Sequence, residues 1–510
     1  MLSIRKFSKV ELLIFTLMLL LVFIMAARAP LDSDMWWHLR AGEQTWSDGA
    51  PLRVDVFSHT RYGEKWINHS WLAQVGMYLL FQWQGFMALS GITALLAALS
   101  MGVVYLQMDG PALLKTALVI FGSLVAAVIW SPRPQMLSFF LLAIVLYLLH
   151  SFRRKEKNRL WVFLPLFVLW SNLHAGYTLG LMAIGLTIAG WGLDHILAPG
   201  APENVPWKKI LILCGWGAAA GFAVLVNPNG IDTWMVPFQT VNVDALQQFV
   251  VEWSSPDFHD VSQQPFLWLL LALVAVFGFS QKKADGADIL LVIWFAYLSL
   301  VARRNFGPFA LVSLPVLSNH LVPLFEKTIL WLRDRVGTDK QLGKYISEDK
   351  KEQRLEQPLF KKIINLSLVG LLALTAMGKL AVVSHPALMR LFLSRQYPVE
   401  AVESIAQLEI SENLLNEYNW GGFLVWQLRD CPVFVDGRTD LFGDEIIGEW
   451  IKLVNGESGW EEALESRNIR LILLTPDRPL AQHLGQARNW ELVYEDGKAV
   501  VYRQISGSVQ

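Results

Sequence analysis

Ten stretches of this chain run with almost no charge, and no other feature constrains its fold as strongly. They lie at 12–27, 86–106, 112–130, 135–150, 160–193, 210–226, 266–281, 287–302, 306–325 and 363–383. A helix needs about 20 mostly apolar residues to cross roughly 30 Å of hydrocarbon. Composition agrees: 54% of residues are hydrophobic and only 17% are charged, against about 25% in a soluble domain. The 22 Trp fit a chain with many membrane–water boundaries. A net charge of -1 offers no electrostatic handle for nucleic acid. Two cysteines, Cys214 and Cys431, exclude a disulfide scaffold or a cysteine metal knuckle. The chain reads as a polytopic α-helical membrane protein.

The longest stretch, 160–193, would measure about 51 Å as one helix, too long for a bilayer. Asn172, His174 and Gly176 break it in the middle, so it is read as two short spans, giving eleven in all. The 71–83 segment is short and amphipathic and is laid on the interface. Arg5, Lys6 and Lys9 precede the first span, and Pro30 follows Ala27-Arg28-Ala29, so the first span is read as an uncleaved anchor. With the amino terminus inside, the inner connections carry 23 Lys and Arg, and the outer ones, up to residue 305, carry 8. That asymmetry supports the eleven-span reading. It leaves 326–362 as a charged inner loop and delivers 384–510 to the outer side.

From 384 onward the pattern becomes that of a small soluble domain. Helical periods at 399–408, 443–455 and 459–466 alternate with β-branched runs at 433–435 and 469–474. Trp490–Tyr494 and Ala499–Tyr502 flank Asp496-Gly497, a hairpin signal. The predicted organisation is a transmembrane domain, 1–383, with an outer loop at 28–70, followed by an extracytoplasmic α/β domain, 384–510.

This topology puts the unusual polar residues on one side. Asp32, Asp34, His38, His69, Arg133, Asn172, His174, Glu252, Asp257, Arg303 and Arg304 all fall at the outer face. The densest segment is Leu31-Asp32-Ser33-Asp34-Met35-Trp36-Trp37-His38, just past the first span. Asp32 or Ser33 suits a helix N-cap, placing Asp34 in the first turn and His38 one turn later on the same face. The helix dipole favours an ionised carboxylate there, which is what a general base requires. Trp36 and Trp37 are the aromatics expected to anchor the segment among headgroups. Arg133, Arg303 and Arg304 break the inside bias for basic residues. They suit a phosphate through bidentate hydrogen bonds, or they snorkel to lipid.

The runs DSDMWWHLRAG, DVFSHTRYGEKWINHSWLAQ, SPRPQM, NLHAGYTLG, NPNG, EWSSPDF and VFVDGRTDLFG resemble a bacterial family of GT-C-like membrane proteins. The first outer loop is similar to that of the GT-C glycosyltransferases, which include the oligosaccharyltransferase catalytic subunit, the protein O-mannosyltransferases and the aminoarabinose transferase of lipid A. The resemblance implies transfer of a sugar from a polyprenyl-phosphate donor to a hydroxyl of a glycan, lipid or protein at the outer face of a bacterial cytoplasmic membrane. It puts the catalytic carboxylate on Asp34, with Asp32 as a metal ligand or secondary acid. His38 stands where relatives often carry Tyr or Asn.

Within that reading, Arg133, Arg303, Arg304 and His174 are candidates for the donor phosphate, with His174 equally suited to capping a helix end. Trp36, Trp37, His38, His69 and Glu252 are candidates for substrate contact. Asp32, Glu252 and Asp257 have oxygen donors suited to a divalent cation, Mg or Mn. Asn227-Pro228-Asn229-Gly230 reads as a turn, and the VDGRTD run, which follows a strand where α/β folds bind ligands, reads either as such a site or as a turn held by pairing of Asp436 and Arg438. No phosphate-binding glycine loop, dinucleotide fingerprint, H-E-x-x-H or G-x-S-x-G occurs. Two rivals predict differently: a flippase or transporter of a lipid-linked saccharide, with polar residues at mid-membrane, and a non-catalytic assembly protein indifferent to loss of Asp34.

Overall fold

The computed structural model describes residues 7–155, 158–241, 243, 250–336 and 359–505. The predicted apolar stretches all become helices. They are α1 (Lys9–Ala26), the second half of α3 (Trp71–Tyr105), α4 (Ala112–Ala126), α5 (Gln135–Lys155), α6 (Phe163–Leu173), α7 (Tyr177–Leu197) and α8 (Trp207–Ala223). After the short α9 (Val236–Val241) come α10 (Gln264–Phe279), α11 (Gly286–Val301), α12 (Phe306–Val336) and α13 (Leu359–Val383). Among the described residues seven of these have the length and apolarity to cross a membrane. The eleven crossings expected from the sequence are therefore not all full-length. Helices α6, α8, α10 and α11 have 11 to 17 residues, less than a bilayer asks of an upright helix.

Two local breaks fall where the sequence places them. His174 is extended at the end of α6, and α7 starts at Tyr177. In α3, Gly85 at φ 57° kinks the helix, separating the amphipathic 71–83 portion from the apolar remainder. The Asn227 side chain accepts from the Asn229 N–H at 2.8 Å, forming the expected turn. The charged loop predicted at 326–362 begins instead as the end of α12, and its 337–358 portion lies outside the described residues.

The connection after α1 opens with α2 (Ser33–Asp48). Its N-cap Asp32 accepts the Asp34 N–H at 2.9 Å. Beyond α13 come α14 (Pro386–Gln396), α15 (Val399–Gln407), β1 (Asn413–Asn416), α16 (Gly421–Gln427), α17 (Thr439–Val454), α18 (Trp460–Ser466), β2 (Ile469–Leu474), α19 (Pro479–Leu484), β3 (Trp490–Glu495) and β4 (Val500–Gln504). The sheet order is β1-β2-β4-β3, with β1 parallel to β2 and the other pairs antiparallel. The β3–β4 hairpin is the one predicted. Val433–Val435 is not a regular strand: Val433 makes single bridges to Leu414 and to Ser58.

Three cores result. One fills the helical bundle. A second lies within the carboxy-terminal region, joining Leu415, Phe434, Ile446, Trp450, Ile472 and Val500. The third is shared: Met35, Trp36, Leu39 and Trp66 of the 28–70 connection pack with Leu414, Phe423, Leu424 and Val433. The carboxy-terminal region is thus joined to α2 by a continuous apolar contact.

Candidate active site

Arg133 lies between Pro132 and Pro134 in the connection leading into α5, where two prolines restrict the backbone. Its guanidinium gathers three carboxylates from two other connections. Nε lies 3.0 Å from Asp32 Oδ2 and Nη1 lies 2.8 Å from Asp34 Oδ2. Nη2 pairs with Glu252 Oε1, and Nε also meets Ser131 Oγ at 3.1 Å. Arg133 keeps 13% of its side-chain exposure and Asp34 keeps 21%, so the cluster is sheltered but reachable.

The shared cation sets the electrostatics. Burial, reinforced by Asp32 and Glu252, pushes the Asp34 carboxyl up to about 6 against the pull of Arg133. Burial likewise raises Asp32. Glu252 behaves oppositely: burial opposes its charge, but Arg133, Arg304 and Arg303 together hold it below the ordinary carboxylate range. Burial opposes the Arg133 charge too, and Asp32, Glu252 and Asp34 outweigh it, so Arg133 stays cationic.

Arg303 and Arg304 form the turn between α11 and α12. The Arg303 N–H donates to Ser254 O at 3.2 Å, tying this turn to the segment that carries Glu252. The Arg304 guanidinium lies over the Trp253 ring at 4.2 Å. Among the described residues no carboxylate lies within ion-pair distance of Arg304, and the Arg303 Nε is buried without a hydrogen-bond partner.

Three histidines border the cluster. His69 and His174 have ring centroids 5.7 Å apart, and His38 Nδ1 lies 3.3 Å from Gln74 Nε2. Burial lowers the pKa of all three, with Arg133 adding to the effect at His38 and His174, so they are neutral near pH 7. His174 Nδ1 accepts the Gly176 N–H at 3.0 Å and meets Ser138 Oγ at 2.8 Å, which is the helix-capping role open to it from the sequence.

The structure thus brings together Asp32, Asp34, Arg133 and Glu252, with Arg303, Arg304 and the histidines around them. It departs from two expectations, at Trp36 and at Asp257. Trp36 is 1% exposed and stacks edge-on against Phe423 at 5.2 Å, so it serves the shared core and neither headgroups nor substrate. Trp37 is 8% exposed, against His38 and Trp66. Asp257 stays apart, 65% exposed and paired to His259 Nδ1 at 3.0 Å. Among the described residues no group of three His, Cys, Asp or Glu side chains is set to hold a metal ion. Asp32 and Glu252 meet around a guanidinium, which a divalent cation would have to displace. Trp253 was not singled out from the sequence, its only signal being its place in the EWSSPDF run.

No family model matches the chain, and no curated protein does. Among solved structures it is similar to ArnT from Cupriavidus metallidurans bound to undecaprenyl phosphate, at TM-score 0.50 and 12% identity, covering 98% of this chain and 99% of that one. The apo state of the same protein matches at TM-score 0.50 and 13% identity, covering 97% and 98%. An oligosaccharyltransferase from Archaeoglobus fulgidus, tethered to an acceptor peptide, matches at TM-score 0.53 and 11% identity, covering 89% and 68%. The chain has a GT-C-like fold: a multi-pass membrane bundle followed by a small carboxy-terminal α/β region.

Proposed function

We propose that this chain is a membrane glycosyltransferase that moves a sugar from a polyprenyl-phosphate donor to an acceptor hydroxyl at the outer face of the cytoplasmic membrane. The observation that carries the reading is the Asp34 carboxylate held at 2.8 Å on Arg133, in a sheltered cluster bordered by Arg303 and Arg304. A base and a set of cations at one place are what such a transfer needs. Support also comes from the fold, since ArnT is a structure with undecaprenyl phosphate bound.

In the reaction, Asp34 accepts the acceptor's hydroxyl proton while that oxygen attacks the anomeric carbon. The bond from the anomeric carbon to the phosphate oxygen breaks, and its electron pair leaves with the polyprenyl phosphate. Arg304 and Arg133 stabilise the charge that develops on the leaving group. Glu252 now occupies one edge of the Arg133 fork; a phosphate arriving there displaces it, because Glu252 is on a connecting segment whereas Asp32 and Asp34 are fixed at the start of α2. His174 and His69, both neutral, border the phosphate. The outer-face location follows from the excess of Lys and Arg on the opposite side.

The test is product analysis. Mass spectrometry of lipid-linked and surface glycans, with and without the gene, should reveal a missing glycosylated product. Asp34→Asn, at normal protein level, should reproduce the loss and lower the transfer rate about 10²- to 10⁴-fold, the usual contribution of a general base. An unchanged product in that variant would remove the enzyme reading.

A further inference from the structure

Gly437 lies within the VDGRTD run, 403 positions after the carboxylate it touches. A Cβ built on it would lie 1.9 Å from Asp34 Oδ1 and 3.1 Å from Trp37 Nε1. Its φ is outside the left-handed range, so the backbone there would accept any residue. The missing side chain is required only because the Asp34 carboxylate fills its place. Nearby, a Cβ on Gly422 would lie 2.4 Å from the Ser33 carbonyl oxygen. The carboxy-terminal region therefore meets the first turn of α2 backbone to backbone.

The loop around Gly437 is fixed on both sides. Arg438 is 1% exposed. It donates to Asp436 at 2.7 Å and to Asp55 of the outer loop at 2.6 Å. The Asn416 amide donates to Val435 O at 2.8 Å, and Thr60 Oγ1 donates to Phe434 O at 2.7 Å. On the far side, the Tyr418 hydroxyl meets Thr439 Oγ1 at 2.5 Å. A loop held this firmly has no freedom to move away from Asp34.

We propose that Gly437 is a positioning residue for the reaction: the Val435–Thr439 loop presses on one oxygen of Asp34 while Arg133 holds the other, and the carboxy-terminal region thereby completes the catalytic centre. This rests on the transferase reading above. With Oδ2 on Arg133 and Oδ1 against Gly437, the carboxylate has one orientation toward the acceptor. A methyl group at 437 rotates or displaces it, and a displacement near 1 Å at a reacting group costs about 10²-fold in rate.

The experiment compares full-length wild type with Gly437→Ala in a transfer assay, with binding of a polyprenyl phosphate and thermal unfolding measured on the same preparations. The expected result is a kcat lower by about 100-fold with donor KM and polyprenyl-phosphate affinity within about threefold of wild type. A kcat within threefold of wild type overturns the proposal and leaves the transferase reading standing. Loss of lipid-phosphate binding together with kcat also overturns it, since the loop would then be holding the fold and not the carboxylate. If the alanine variant does not fold, Tyr418→Phe, which removes the hydroxyl that meets Thr439, should lower kcat about three- to tenfold at constant KM; no change in kcat overturns the proposal. A wild-type chain that transfers nothing fails the transferase reading, and the positioning role with it.

Discussion

Asp34 is hard to ionise, because burial and two neighbouring carboxylates oppose its charge and one guanidinium serves all three. As a base it works only when deprotonated. The rate should therefore fall about tenfold per pH unit below about 6, with a plateau above, in a pH–rate profile of kcat/KM. The linkage has the opposite sign for stability. A carboxyl raised above its ordinary value stabilises the fold fully below about pH 4, and that contribution is lost as pH rises through 6. The ionised state of Asp34 is thus the less stable one. Glu252 offers a second check. Glu252→Gln removes an anion competing for Arg133, so a polyprenyl phosphate should bind about three- to tenfold more tightly by calorimetry; weaker binding would make Glu252 a ligand of the substrate. Arg133 and Arg304 stood out in the sequence as basic residues that break the charge bias, and Asp34 as a carboxylate expected in the first turn of a helix within a GT-C-like loop. The place of Trp36 was not legible: a Trp bound for a shared core and one bound for headgroups look alike until the partner, Phe423, is known.

At the level of elements, α2 is held by what it touches at its first turn and along its apolar face. The Asp55–Arg438–Asp436 triad, with all three side chains fully buried, links the 28–70 connection to the carboxy-terminal region. Removing the cation alone strands two buried anions. Arg438→Met should cost about 3–5 kcal/mol and lower the thermal midpoint, whereas adding Asp55→Asn and Asp436→Asn should recover much of the loss. The Asp–Arg turn in VDGRTD was readable from the sequence, but its third member was not, because nothing local marks Asp55 as the partner. Helix positions were legible for a related reason: the break at His174 and the kink at Gly85 sit where polar or flexible residues interrupt an apolar period. The isolated bridges of Val433 were not, since a β-branched run does not reveal whether it will find a full ladder.

For the whole molecule, the multi-pass bundle and the small α/β region follow from the apolar stretches and the change of pattern near 384. The four short helices show why counting stretches overestimates full-length spans: a helix of 11 residues covers only about 17 Å. The proposed orientation has a direct test. A cysteine placed at exposed Ser466 should react with a membrane-impermeant maleimide on intact cells, and one at exposed Lys283 should react only after lysis. The reverse pattern would turn the molecule over and place Asp34 in the cytosol. The native cysteines interfere little: Cys431 is buried and Cys214 lies within α8.

Asp55 and the arginine that neutralises it are 383 positions apart. At about 5–20 residues per second, a ribosome needs on the order of 20–75 s to connect them. Through that interval the 28–70 connection has been made without its partner, its tryptophans uncovered and its carboxylate still hydrated. Nascent chains stopped before 438 should accumulate in this half-made form, sensitive to proteases and dependent on chaperones, and Asp34 meets its neighbour Gly437 only as one of the last acts of synthesis.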